Sequence, residues 1–169
     1  MHESTYREME KFSDLLPMSP LSIADVGSMD VNGTYKPIFG KPGWTYTGLD
    51  ISAGKNVDRV LAAPYQWSNV ADEEFDVVIS GQALEHTEYP WIFAKELARI
   101  VKKGGYVCVI APYQWEFHEY PIDCYRFFPD GMRAILGQAA LKVIFCYMAE
   151  NSPDPRYKGD TVGIARRPV

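Results

Sequence analysis

The sequence lacks a long hydrophobic run. Its longest apolar stretches lie around residues 77–79 and 106–111. Both are far short of the roughly 20 residues that cross a bilayer, so no membrane span is expected. It also lacks an excess of basic charge: 17 Lys and Arg face 22 Asp and Glu, for a formal net charge of −5. A general nucleic-acid binder carries a basic stripe. Here Lys102 with Lys103 and Arg166 with Arg167 are only pairs, which read as solvated ends of elements. The polar and acidic N-terminal run "MHESTYREMEKF" has no signal-peptide pattern, and a cytoplasmic location is expected. Cysteine is scarce. Cys108, Cys124 and Cys146 have no metal-type spacing and are odd in number for disulfides. The dinucleotide fingerprint G-x-G-x-x-G is missing as well.

What is present is an ordinary globular composition, 47% hydrophobic and 23% charged over 169 residues, enough for one domain with a single core. We expect one domain over 1–169, with an N-terminal helix in 1–17 and an α/β core over 21–169. Tyr6, Met9, Phe12 and Leu16 recur at helical spacing, and Pro17 stops that helix. "LSIADVG", "WTYTGLDI", "DRVLAA", "FDVVISGQ" and "YVCVIAPY" read as five short strands. "YPWIFAKELARIVKKGG" reads as a helix stopped by Gly104 and Gly105, and "PDGMRAILGQA" as another. "LKVIFCYMAE" and "DTVGIARR" close the chain as two strands joined by "NSPDPRYKG". Apolar strands alternating with helices imply a mainly parallel sheet covered on both faces. The closing pair, joined only by a turn, is antiparallel.

Ligands on such sheets gather at the carboxyl ends of the strands. The first such end is "DVGSMDVNG", with Asp25, Gly27 and Ser28. Gly27 lets the chain turn tightly and a ligand approach closely. About 20 residues on, Asp50 ends the next strand, where a carboxylate can accept from both hydroxyls of a ribose. A plain turn and a solvated strand end are the bland alternative. Ser80, Gly81 and Gln82 end the fourth strand. Glu85 and His86 follow, either facing a ligand or serving as a helix-start acid and a buried histidine. The long aromatic segment from Tyr113 to Asp130 would be costly unless it closed over something. Within it His118 suits a general base and Arg126 an anion clamp. A lid-internal pair of Asp123 and Arg126 is the alternative. Glu85, His86, His118, Glu119 and Asp123 suit Zn or Fe by residue type, but no spacing matches a metal motif, and no metal is expected.

The order strand-"DVG", strand-"GLD", "FDVVISGQALEH", helix, "VKKGGYVCVIAPY" resembles the class I S-adenosylmethionine-dependent methyltransferases, in particular the small methyltransferase-domain group with "LEH" after the fourth strand. The resemblance runs from about Ile23 to the C-terminus. It implies a three-layer Rossmann-like fold with a seven-stranded sheet, and S-adenosylmethionine as cofactor. It implies that Asp25, Gly27 and Ser28 cradle the methionine part, that Asp50 binds the ribose with Ile51 beside the adenine, and that Ser80, Gly81 and Gln82 line the methyl end, with His86 nearby. The sequence departs from the family in three places. Met29 and Asp30 replace the usual second glycine and its neighbour. Ala62 and Ala63 stand where an acid often meets the adenine. The stretches after the first and second strands are too short for full helices.

Three functions follow. The first is methyl transfer to a small-molecule or glycan acceptor under the lid, with His86 or His118 as base, Glu85 orienting a histidine, and Tyr113, Asp123 and Arg126 holding substrate. The second is a non-catalytic methyltransferase-like protein that binds a ligand or partner. The third is an NAD-binding domain, disfavoured by the missing fingerprint. No nucleic-acid or membrane partner is expected, and the aromatic lid would suit a homodimer.

Overall fold

The computed structural model describes residues 3–150 and 157–169, so most of the link "NSPDPRYKG" lies outside the described residues. Seven strands form one sheet: β1 (Ser22–Val26), β2 (Thr45–Asp50), β3 (Arg59–Val60), β4 (Phe75–Gly81), β5 (Val101–Gln114), β6 (Lys142–Glu150) and β7 (Gly159–Arg166). Their order is β3-β2-β1-β4-β5-β7-β6. The first five run parallel, and β7 pairs antiparallel with both β5 and β6. The chain leaves β1 towards one edge and returns to β4 on the other side of β1. The switch point therefore lies between β1 and β4, where the crevice of such a sheet opens.

A parallel sheet must be covered on both faces, and the strand side chains divide accordingly. Ala24, Val26, Val78, Val107 and Val109 face a core shared with helices α2 (Pro90–Ile100) and α3 (Pro129–Gln138). Trp67, fully buried there, packs edge-on against Phe93. Ile23, Val77, Ile79, Cys108 and Ile110 face the other core, with Met9 and Phe12 of α1 (Glu3–Asp14). Among the described residues no α-helix joins β1 to β2 or β2 to β3. Tyr35, Ile38 and Phe39 from the β1–β2 connection fill that face instead.

Boundaries differ from the sequence reading at β3, which keeps only Arg59–Val60 of "DRVLAA", at β5, which starts at Val101 and runs on to Gln114, and at the end of α2. The α2 helix stops at Ile100 rather than at the glycine pair. The Val101 N–H still donates to the Leu97 carbonyl, but its backbone is extended, and its fully buried side chain pairs with Phe75 of β4. A β-branched residue with an apolar seat in the sheet gains more there than in another helical turn. Lys102 then reaches Asp76 at 2.8 Å. No helix among the described residues is long and apolar enough to cross a membrane.

Candidate functional site

A cavity of about 1010 Å³ opens at the carboxyl ends of β1, β2 and β4. Two glycines let it form. Gly27 turns the chain out of β1 at φ +81°, and a Cβ there would lie 2.5 Å from that of Ala83. At Gly81 a Cβ would lie 2.3 Å from the Tyr35 hydroxyl.

The first loop is held from below rather than by a second glycine. The N–H groups of Gly27 and Ser28 both donate to the Leu49 carbonyl, at 2.8 and 3.1 Å. The Asn56 amide donates to the Ser28 carbonyl at 2.9 Å and to the Tyr46 hydroxyl at 3.0 Å. Asp30 accepts from the Gly33 N–H at 2.8 Å and pairs with Lys55 at 2.6 Å. These contacts hold the Asp30 carboxyl below its ordinary pKa. "SMD" thus closes a loop of its own, pinned to residues 54–58.

Asp25, Gly27, Ser28, Asp50 and Ile51 all line the cavity. Asp50 accepts the Met29 N–H on Oδ2 and the Ser52 N–H on Oδ1, each at 3.1 Å. A carboxylate offers about four acceptor positions, so each oxygen retains one for a ligand hydroxyl. Asp25 is buried. Its Oδ2 accepts from Tyr46, while Oδ1 has no partner. Burial, opposed by the Tyr46 hydrogen bond and reinforced by the nearby Asp50, lifts its carboxyl to about 7. A buried acceptor without a donor at a cavity wall suits a ligand ammonium. Ile51, Leu61 and Pro64 add apolar wall. These residues fit an amino acid, a vicinal diol and a planar base, the three parts of S-adenosylmethionine.

At the other end stand Glu85 and His86, on a 3-10 turn (Leu84–His86), and His118 of the lid. The Glu85 carbonyl accepts the N–H groups of Cys124 and Tyr125, at 2.8 and 3.3 Å, which fastens the lid to the turn. Its carboxylate is wholly buried, and no side chain donates to either oxygen. Burial raises it to about 8, opposed chiefly by its own backbone amide. His86 Nδ1 lies 2.6 Å from the Ile122 carbonyl and Nε2 lies 3.7 Å from Glu85 Oε1. Burial lowers its pKa, which favours the neutral ring. The His118 ring meets that of His86 edge-on, with centroids 4.9 Å apart.

Gly81 and Gln82 line the cavity, but Ser80 does not. The Ser80 hydroxyl is spent on the Val26 carbonyl at 2.8 Å, tying β4 to β1. Tyr113, Asp123 and Arg126 are also absent from the lining. Arg126 spends its guanidinium on Asp123, at 2.5 and 2.8 Å, and on the carbonyls of Trp115, Glu116 and Tyr125. That pair braces the lid internally. Among the residues that escaped the sequence reading, two bear on the polar walls of the cavity. The buried Tyr35 reaches the cavity from a stretch without periodicity, and its hydroxyl has no partner. Asp160 of β7 holds the Gln82 amide at 2.7 Å. Glu119 lines the cavity, while Asp123 faces Arg126.

Comparison with known proteins agrees with this geometry. A ubiquinone biosynthesis O-methyltransferase of Thiobacillus denitrificans is 28% identical over 120 residues, 63% of this chain and 51% of the relative. The chain thus spans about half the length of that curated relative. A Burkholderia thailandensis 1,6-didemethyltoxoflavin-N1-methyltransferase, solved with 1,6-didemethyltoxoflavin and S-adenosylhomocysteine, has the same fold. The TM-score is 0.76 at 14% identity, over 99% of this chain and 80% of that one. So does a chain from the complex of the Haloferax volcanii Trm112 methyltransferase activator with a methyltransferase, with a TM-score of 0.71 at 17% identity over 98% and 89%. A family model described as a methyltransferase domain matches residues 24–109, and with the strand-end acids Asp25 and Asp50 and most of the cavity lining inside that span, the chain belongs to the class I S-adenosylmethionine-dependent methyltransferases.

Proposed function

We propose that the chain transfers a methyl group from S-adenosylmethionine to a small organic acceptor, a free small molecule or a glycan unit. One observation carries the reading: a single cavity joins Asp50 and the β1 turn to Glu85, His86 and His118. Asp50 would take the ribose hydroxyls, Asp25 and the Gly27–Ser28 turn the amino-acid end, and Ile51 the adenine. The bound cofactor supplies an electrophilic methyl on a sulfonium. The protein's part is to hold an acceptor in line with it. An acceptor atom so held would form its bond to the methyl carbon as the carbon–sulfur bond gives up its electron pair to sulfur. A hydroxyl acceptor loses its proton to His86 or His118, and the lowered pKa of His86 keeps that ring available at neutral pH. The curated relative is named an O-methyltransferase of ubiquinone biosynthesis, and the Burkholderia neighbour was solved with 1,6-didemethyltoxoflavin. Both support a small organic acceptor.

Calorimetric titration of S-adenosylhomocysteine into the wild type and Asp50→Ala tests the cofactor site. Loss of two charge-assisted hydrogen bonds, about 3–6 kcal/mol together, weakens binding by roughly 100-fold or more. Absence of wild-type binding at millimolar ligand would overturn the proposal. The loop at Met29 and Asp30, with Ala62 and Ala63 in place of an adenine acid, would then mark a non-catalytic binding protein.

A further inference from the structure

We propose that Glu85, His86 and His118 form a binding site for one divalent transition-metal ion at the lid end of the cavity. One carboxylate oxygen and one ring nitrogen from each histidine lie within 4.8 Å of one another. A point no more than about 2.8 Å from all three therefore exists, against bonds of roughly 2.0–2.2 Å to zinc. A shift of less than an ångström per ligand closes the gap.

Two further observations point to a cation. The Glu85 carboxylate is completely buried, and no side chain donates to it. The guanidinium of Arg126, from the same lid, is already committed to Asp123 and to lid carbonyls. An unpaired buried carboxylate is costly, and a bound cation would relieve that cost. Second, each imidazole has Nδ1 on a backbone carbonyl: His86 on Ile122 at 2.6 Å, and His118 on Glu116 at 2.9 Å. A ring that donates from Nδ1 keeps its lone pair on Nε2. Metal-bound histidines are commonly anchored in this way through their other nitrogen.

Two imidazoles and a carboxylate suit Zn²⁺, Fe²⁺ or Co²⁺, and three protein ligands leave coordination positions open. Those positions adjoin the cavity. Resting on the methyl-transfer reading above, the ion would take an acceptor oxygen directly; with both imidazoles committed to the ion it would replace them in activating the acceptor, and a hydroxyl bound there would release its proton to water before attack. The class of acceptor becomes one with a hydroxyl or enol oxygen. The sequence hides this site because its ligands come from positions 85, 86 and 118, with no motif spacing between turn and lid.

The test is a Co²⁺ titration of the metal-stripped chain, without a polyhistidine tag, followed by visible absorption. Glu85→Gln and His118→Ala are titrated in parallel, and S-adenosylhomocysteine binding is measured calorimetrically on all three. The expected result is one Co²⁺ per chain, displaced by Zn²⁺, with affinity at least tenfold weaker in each variant and S-adenosylhomocysteine binding retained. Retained binding also certifies that the variants fold. Absence of Co²⁺ uptake by the wild type, or uptake unchanged in both variants, overturns the metal site whatever the cofactor does. Co²⁺ uptake without S-adenosylhomocysteine binding upholds the metal site and overturns the methyl-transfer reading alone.

Discussion

Asp25 sits 2% exposed at the end of β1, one oxygen on Tyr46 and the other without a partner. Its carboxyl is lifted to about 7, so between the unfolded value near 4 and about 7 the folded chain holds a proton that the unfolded chain has lost. Stability from this residue is complete below that window and falls as pH rises through it, by as much as about 4 kcal/mol. Asp25→Asn keeps an acceptor for Tyr46 and removes the titration. The difference in urea-unfolding free energy between wild type and Asp25→Asn should shift in the variant's favour from pH 4 to pH 7.5. A pH-independent difference would mean that Asp25 is not the titrating group. Tyr35, across from Gly81, has a similar orphan hydroxyl, which burial pushes well above its ordinary pKa. It therefore stays protonated and is a donor for whatever enters.

At the scale of elements, the lid depends on a few polar contacts. Asp123 accepts from Arg126 through both oxygens and from the His118 N–H at 2.8 Å. Removing this acceptor leaves several donors unpaired, at a cost of about 1–3 kcal/mol. Asp123→Ala should therefore speed amide hydrogen exchange over residues 115–126 while β1, β4 and β5 keep wild-type protection. Faster exchange throughout the sheet would show that the lid is integral to the core. The strands were legible because each buried run is short, apolar and bounded by polar residues. That Asp50 and Gly27 line the cavity was legible because the carboxyl ends of the strands fix where it opens. The end of α2 was not, since Val101 chose the sheet for a packing partner that only the assembled fold provides. Nor were Tyr35 and Asp160, whose partners are distant in sequence. His118, a candidate base by residue type, lines the cavity, but its approach to Glu85 depends on how the lid folds back.

For the whole molecule, the cavity is the space left between β1, β2, β4 and the lid, so filling it couples these parts. A ligand that binds only the folded chain adds about 2.7 kcal/mol at one hundred times its Kd. At this chain length that corresponds to roughly 5–11 °C in Tm. S-adenosylhomocysteine should produce a rise of this order in the wild type, and little in Asp50→Ala at the same concentration. An equal rise in both would mean that the ligand binds elsewhere.

The seat of α1 has a consequence for how the chain is made. Thr5 donates to Asp160 at 2.8 Å across 155 positions, and Asp160 in turn steadies Gln82. Ser4 donates to Tyr157 from the same helix at 3.3 Å. On the ribosome α1 emerges well before β7, the strand that holds Asp160. Until β7 has appeared, Met9 and Phe12 lack the part of their core that Val162 and Ile164 supply. The cavity wall at Gln82 is finished only when the two ends of the fold meet, so a nascent chain stalled short of β7 would carry the family's loops without a working pocket.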